Sequence, residues 1–220
     1  VSPKQFTVTN DYVQLQVKFP LKVISSAVHN AGMGWYNHFL NRSISPDYNI
    51  EDVKEETVQF LVERDFSLTN TVVMLTAVEA NLVAIRSFNH ERFSITVAVT
   101  AGVGNAVDVT RTYERQEAAY IGTINTWVIV NGKLSDEAFY QAMITATEAK
   151  TKALAEEDIR DVQTNTIATG TATDSLLIAA TQHGEEMPYA GPITDVGKLI
   201  GHGVFETTVE AIRKYKQSKN

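Results

Sequence analysis

Between residues 71 and 100 three β-rich runs follow one another, TVVMLTAV, NLVAIRSF and RFSITVAVT, with no helical pattern between them. Runs this close leave no room for crossover helices, which excludes strict β–α alternation and a sheet that is doubly wound throughout. The last two runs meet across Asn89-His90-Glu91, a short hairpin link. Other strand signals flank them. FTVTNDYVQLQVKF alternates apolar and polar through Val13, Leu15, Val17 and Phe19 after a Thr9-Asn10-Asp11 turn, and LKVISSAV reads as a second strand. GTINTWVIV stops at the turn signal Asn131-Gly132, and TIATGTATDSLLIAAT reads as a loop entering a buried strand.

Helical periodicity is confined to a few segments. Val53, Val58, Leu61 and Val62 predict a helix near 50–65. The clearest spans 135–157, with Ser135 as N-cap, Asp136 and Glu137 in the first turn, and Ala138, Ala142, Ala146, Ala149 and Ala153 on one face. Glu148 and Lys152 have the i,i+4 spacing of an exposed pair, worth ~0.2–0.5 kcal/mol. Thr194 and Asp195 cap a closing helix to about 216. The expectation is an α+β fold over residues 1–220. It is a single layered domain with a largely antiparallel or mixed sheet of about eight strands and about four helices.

Composition narrows the function classes. Net charge is −7, from 19 basic and 26 acidic residues, and the locally basic RKYKQSK reads as a helix end, so no nucleic-acid partner is expected. The absence of cysteine excludes disulfides, Cys-ligated zinc and a cysteine nucleophile, and fits a cytoplasmic setting. No run approaches ~18 apolar residues, so no membrane span is expected. The start, VSPKQFTVTN, lacks the pattern of a signal peptide and lacks Met, which suggests a trimmed chain.

Several segments are candidates for chemistry. SSAVHNAGMGWYNHF (25–39) combines His29, Asn30, Trp35, Tyr36, Asn37 and His38 with two glycines that let a ligand approach the backbone. None of the five histidines has the i,i+4 spacing of a helical metal pair, so neither metal nor cofactor is expected. AGVGNA (101–106) lacks the Lys and Ser/Thr of a phosphate loop. Its Asn105, like Asn30, Asn37 and Asn125, follows a strand or glycine turn, where an amide serves either turn chemistry or ligand binding. ATGTATDS (168–175) sets Thr171, Thr173, Asp174 and Ser175 before an apolar strand. Neighbours on an extended chain face opposite sides, so Asp174 should serve another loop's group rather than Ser175. TATEAK (145–150) puts Thr147 and Glu148 opposite the alanine face, where a solvated face is the ordinary reading.

Together SSAVHNAGMG, the Asn37-His38 pair, TAGVGNA, GTIN, TATEAK, ATGTATDS and YAGPITDVGKLIG occur in an order that resembles the adenosylcobinamide amidohydrolases, the CbiZ family of corrinoid-salvage enzymes. The resemblance covers residues of about 20–205, nearly the whole chain. It implies a hydrolase that cleaves the amide joining the corrin side chain to aminopropanol. The product, adenosylcobyric acid, returns to cobalamin biosynthesis. The partner is then a corrinoid small molecule, adenosylcobinamide or its phosphate, with further copies of the chain as the other partner to consider. A non-catalytic corrinoid carrier is the alternative. The family usually has Gly where this chain has Ala31 and Ala172, and a His–Thr pair where it has Ile193 and Thr194.

On this resemblance His29 is the expected acid or base, with Asn30 or Asn105 and the N–H groups near Gly32, Gly34, Gly102 and Gly104 around the oxyanion. Asp174 would orient a histidine or water, and Glu148 is a second candidate carboxylate. Trp35 and Tyr36 would meet the flat ring, and Asn37, His38, Asn105, Thr123, Asn125, Thr171 and Ser175 its amide rim. The nucleophile is open between water and the hydroxyls of Ser26, Thr123 and Ser175. Self-cleavage at Gly122-Thr123 would create an N-terminal threonine nucleophile.

Overall fold

In the computed structural model, which describes residues 1–45, 52–115 and 123–219, the turn at 9–11 closes a hairpin. It joins β1 (Phe6–Val8) to β2 (Tyr12–Ser25), with Val8 opposite Val13. β2 unites what the sequence suggested were two strands, and its register slips between Gln16 and Leu21. It turns back into β3 (Gly32–Ser43), so Trp35 and Tyr36 lie in a strand. Next comes α1 (Val53–Glu63), where the Asp52 carboxylate accepts the N–H groups of Lys54 and Glu55. β4 (Thr71–Thr76), β5 (Ala84–Asn89), β6 (Ser94–Ala101) and a two-residue β7 (Ala106–Val107) follow. β8 (Ile124–Asn131) and β9 (Lys133–Leu134) lead into α2 (Asp136–Glu156), whose Ser135 hydroxyl accepts Ala138 N–H as an N-cap should. The chain ends with β10 (Gly170–Thr171), β11 (Ser175–Ala180), β12 (Glu186–Met187) and α3 (Asp195–Ser218), capped by Thr194. The described residues thus hold three α-helices rather than about four.

Seven strands form one mixed sheet in the order β4-β3-β2-β11-β8-β6-β5, with β1 added on β2. β3–β4 and β8–β11 are parallel, and the other neighbours are antiparallel. Strand alternation sorts the side chains into separate cores. Ile124, Val128 and Val130 of β8, with Ile95, Val97 and Val99 of β6, pack under α2 and α3. The intervening Trp127, Ile129 and Ala98 face the other way, onto Phe39, Val72 and Met74. The β2–β3–β4 side of the sheet therefore folds over the β11–β8–β6 side. Trp127 Nε1 donates to Met74 Sδ at 3.2 Å across the fold. α1 covers the outside of this flap with Phe60 and Leu61 against Leu40 and Val73. Four layers result: helix pair, sheet, sheet, helix.

A buried amide ladder pins the flap. Asn125 Nδ2 donates to Asn41 Oδ1 (2.6 Å) and Leu75 O (2.8 Å), and Asn41 Nδ2 donates to Thr100 Oγ1 (2.8 Å). Each such donor would cost ~1–3 kcal/mol if buried without its acceptor, so the ladder fixes the registration of the two layers. Among the described residues no helix is long and apolar enough to cross a membrane.

Candidate active site

The crossover β8–α2–β11 builds a hollow of about 280 Å³ between helix and sheet. Its floor is Ile124 and Thr126 of β8 with Leu176 of β11. Its helical wall is Met143, Ala146, Thr147 and Lys150, a stripe at the i, i+3, i+4, i+7 spacing of one helix face. Ser26, Asp174 and Ser175 form the mouth.

Lys150 and Asp174 are the charged pair at this mouth. Nζ lies 2.5 Å from Asp174 Oδ2, and the two side chains are only 14% and 18% exposed. The other carboxylate oxygen accepts Ile124 N–H (3.0 Å), Thr171 N–H (3.2 Å) and the Thr171 hydroxyl (2.5 Å). A Cβ at Gly170 would collide with both Asp174 Oδ2 and Lys150 Nζ, so only glycine lets the backbone pass the pair this closely. The β7–β10 ladder carrying Gly170 and Thr171 is anchored next door by Asp161. Burial pushes this carboxyl up, but hydrogen bonds from the N–H groups of Asp108, Gln163 and Thr164 and from Arg115 outweigh it. They hold the group well below the usual carboxylate range. The Ser175 hydroxyl points to Ser26 O at 3.4 Å, while Ser26 Oγ accepts Leu176 N–H at 3.0 Å.

Beside the mouth lies an exposed apolar strip. Cross-strand partners share a face, and Met33 and Trp35 stand opposite Ile24 and Lys22. Ile24 packs in the core under α2, and Lys22 pairs with Asp136 at the start of that helix. Tyr140 and Ile144 continue from Asp136 along the same flank of α2. All four apolar side chains are exposed, Trp35 by 56%.

The sequence candidates separate into those at this mouth and those elsewhere. Asp174, Ser175 and Thr171 are brought together. Lys150, the last residue of TATEAK and no candidate from the sequence, joins them, whereas Glu148 is exposed outside the hollow's lining. His29 does not face the hollow. Its Nε2 lies 2.9 Å from Leu68 O, and its backbone bridges to Val73 at the flap edge. Asn30, in a left-handed conformation at φ 56°, donates from Nδ2 to Leu68 O and Thr71 O. Both residues tie the β2–β3 turn to the start of β4. Trp35 and Tyr36 take opposite faces, and Tyr36 packs toward the sheet-to-sheet core. Asn37 is half-buried next to the β2 register slip. His38 is buried among Gln14, Thr71 and the Phe66 ring, and this desolvation lowers its pKa below the ordinary 6.5.

Asn125 is consumed by the flap ladder, and Asn105 is buried in the turn between β6 and β7. The Thr123 hydroxyl is buried and donates to Thr173 O at 2.6 Å, while Gly122 lies outside the described residues. The Gly102 N–H donates to Thr123 O and is spent. Neither Ala31 nor Ala172 has a positive φ, so alanine is tolerated at both. Ile193 is exposed, on a loop that grips α2 through Gln141 and Thr145. Among the described residues no three His, Asp or Glu side chains converge as metal ligands.

Comparison with known proteins matches residues 2–220 to the family model of adenosylcobinamide amidohydrolase. The adenosylcobinamide amidohydrolase of Methanosarcina mazei is 30% identical over 196 residues, covering 87% of this chain and 90% of the relative. An uncharacterized protein of Methanocaldococcus jannaschii is 38% identical over 100 residues, covering 45% of this chain and 39% of its own length. The solved L-aminopeptidase D-Ala-esterase/amidase of Ochrobactrum anthropi aligns with 96% of this chain and 82% of its own. The TM-score is 0.48 and the identity 11%.

Proposed function

The chain belongs to the adenosylcobinamide amidohydrolase family, and we propose that it hydrolyses the aminopropanol amide of adenosylcobinamide at the mouth of the α2–β11 hollow. The observation that carries this placement is the Lys150–Asp174 pair, fixed from several sides at the opening of a pocket with serine hydroxyls on its rim.

Amide hydrolysis needs an attacking oxygen, stabilisation of the oxyanion that forms, and a proton for the leaving amine. The Lys150 ammonium has three N–H donors, one of which Asp174 engages. The others are available to the carbonyl oxygen as charge develops and to the amine as it leaves. Asp174 positions Lys150 and is itself immobilised by Ile124 and Thr171. The attacking oxygen is a water or the hydroxyl of Ser26 or Ser175; Lys150 gives a proton to the departing amine and recovers one from the attacking oxygen, and an acyl-enzyme trapped on either serine distinguishes these routes. His29 and Asn30 contribute by holding the turn that follows Ser26. His29 is not assigned the acid–base role, because its Nε2 is committed to Leu68 O.

The hollow, at about 280 Å³, falls below the ~300–1,000 Å³ of pockets that enclose drug-sized ligands. It admits the amide arm and leaves the corrin outside, over Met33, Trp35, Tyr140 and Ile144. The −7 charge and the absence of cysteine support a cytoplasmic enzyme without a nucleic-acid partner.

Incubation with adenosylcobinamide followed by chromatography tests the proposal. Wild type should yield adenosylcobyric acid and aminopropanol. Lys150→Met should keep the spectral change of corrinoid binding and lose ~10²–10⁴-fold in rate, the usual share of acid–base catalysis. Wild-type turnover in Lys150→Met would remove the pair from the chemistry. Binding without product by wild type would mark a carrier.

A further inference from the structure

Thr126 is the one polar side chain on the helix-facing side of β8, between Ile124 and Val128. It is 2% exposed, lines the hollow, and its hydroxyl meets no hydrogen-bonding partner among the described residues. A buried hydroxyl without a partner costs ~1–3 kcal/mol, and a χ1 rotation brings this one, on a side chain that lines the pocket, to whatever fills it. Thr208 Oγ1 is also unpartnered among the described residues, but it lies on α3, outside the lining of this hollow. The surfaces around Thr126 are apolar: Met143, Ala146, Ile124 and Leu176.

We infer that this floor reads the leaving amino alcohol, with Thr126 Oγ1 hydrogen-bonding the hydroxyl of the arm and Met143, Ala146 and Leu176 receiving its methyl group. The inference rests on the placement of chemistry at Lys150 and Asp174. Spacing supports it. Asp174 is tied to Ile124, and Thr126 lies two residues further along β8, about 6.6 Å at ~3.3 Å per residue. From an amide nitrogen at the mouth, an N–C–C–O arm reaches about 3.6 Å and its hydrogen bond adds about 2.8 Å. A 1-amino-2-alkanol therefore spans from mouth to floor, and a simple alkylamine of the same length leaves Thr126 unmatched. A site built to bond a substrate hydroxyl discriminates strongly against the analogue lacking it.

The test compares two substrates within each enzyme, adenosylcobinamide and the analogue whose arm is propylamine, so that any loss of folded protein cancels. Wild type should prefer the hydroxylated arm by about tenfold or more in kcat/KM. Thr126→Val should reduce this preference to within about twofold while melting no lower than wild type, since it removes an unmatched hydroxyl. Thr126→Ser should retain the preference. Indifference of wild type to the hydroxyl, or a preference that survives in Thr126→Val, overturns the inference. Failure of the underlying site is separate: it appears as full activity in Lys150→Met, whatever Thr126 does.

Discussion

Replacing Asp174 by Asn changes one atom's chemistry and leaves its volume. The amide oxygen can keep Ile124 N–H and the two Thr171 donors, but the amide nitrogen then faces Lys150 Nζ, donor against donor. Exposed ion pairs contribute ~0–1 kcal/mol and breaking a buried one costs ~3–5 kcal/mol. With side chains 14% and 18% exposed, this pair lies between those limits, at about 2 kcal/mol. For a chain of this size that lowers Tm by ~4–8 °C. Even from a marginal stability of ~5 kcal/mol, about 99% of Asp174→Asn molecules stay folded. Unfolding therefore explains almost none of a large rate loss. The expected loss is ~10²–10⁴-fold in kcat, because Lys150 is released from its position for proton transfer. Circular dichroism melting and product chromatography on the same preparation give both numbers. Turnover within about threefold of wild type, with Tm lowered as calculated, would refute the placement of the chemistry.

His29→Ala should cost ~1 kcal/mol through the lost bond to Leu68 O and change kcat/KM less than about threefold; a hundredfold loss would return the acid–base role to His29. Asn125→Ala should lower stability by ~2–4 kcal/mol, leaving Asn41 Oδ1 and Leu75 O without their donor, with KM unchanged in the folded fraction. A raised KM at unchanged Tm would instead make it a substrate contact. His38 resists protonation when folded, so below its ordinary 6.5 the unfolded chain binds the extra proton first. Its contribution is full above that pH and is lost on acidification toward the lowered folded value. Melts at pH 7.5 and about 5 should show a smaller loss in His38→Gln than in wild type, and equal losses would refute this.

Local patterns in the sequence located most elements because their causes are local. The Asn89-His90-Glu91 link closes the β5–β6 hairpin, and Ser135 and Thr194 cap the helices their positions suggested. The folding of the flap over β6 and β8 was not legible, since Asn41, Thr100 and Asn125 meet only in three dimensions. The burial of Asn125 under the flap, and of His38 on the flap's outer face beside Phe66, was hidden for the same reason. Lys150 does carry a sequence signal: it shares a helical phase with Met143 and Ala146, at the edge of the alanine stripe, whereas Glu148 falls outside that phase. Thr126 had one too, as a hydroxyl in the buried phase of GTINTWVIV.

The site follows from one of the two parallel pairings in the main sheet. β8 and β11 are parallel, with Asn125 beside Ser175, so two strand starts about fifty residues apart in sequence lie at one edge. The helix joining them must run back across the pair, which brings its later turns over the strand starts. Lys150 thereby comes over Asp174, while Asp136 at the other end reaches Lys22. The same geometry bears on the departure at Ile193. At ~100° per residue, Gln141 and Thr145 lie on the flank of α2 opposite Lys150. They hold Ala190, three residues before Ile193, on that far flank. Ile193 follows on from that flank, so the histidine that the resemblance expects there would start from the side of α2 away from the Lys150–Asp174 mouth.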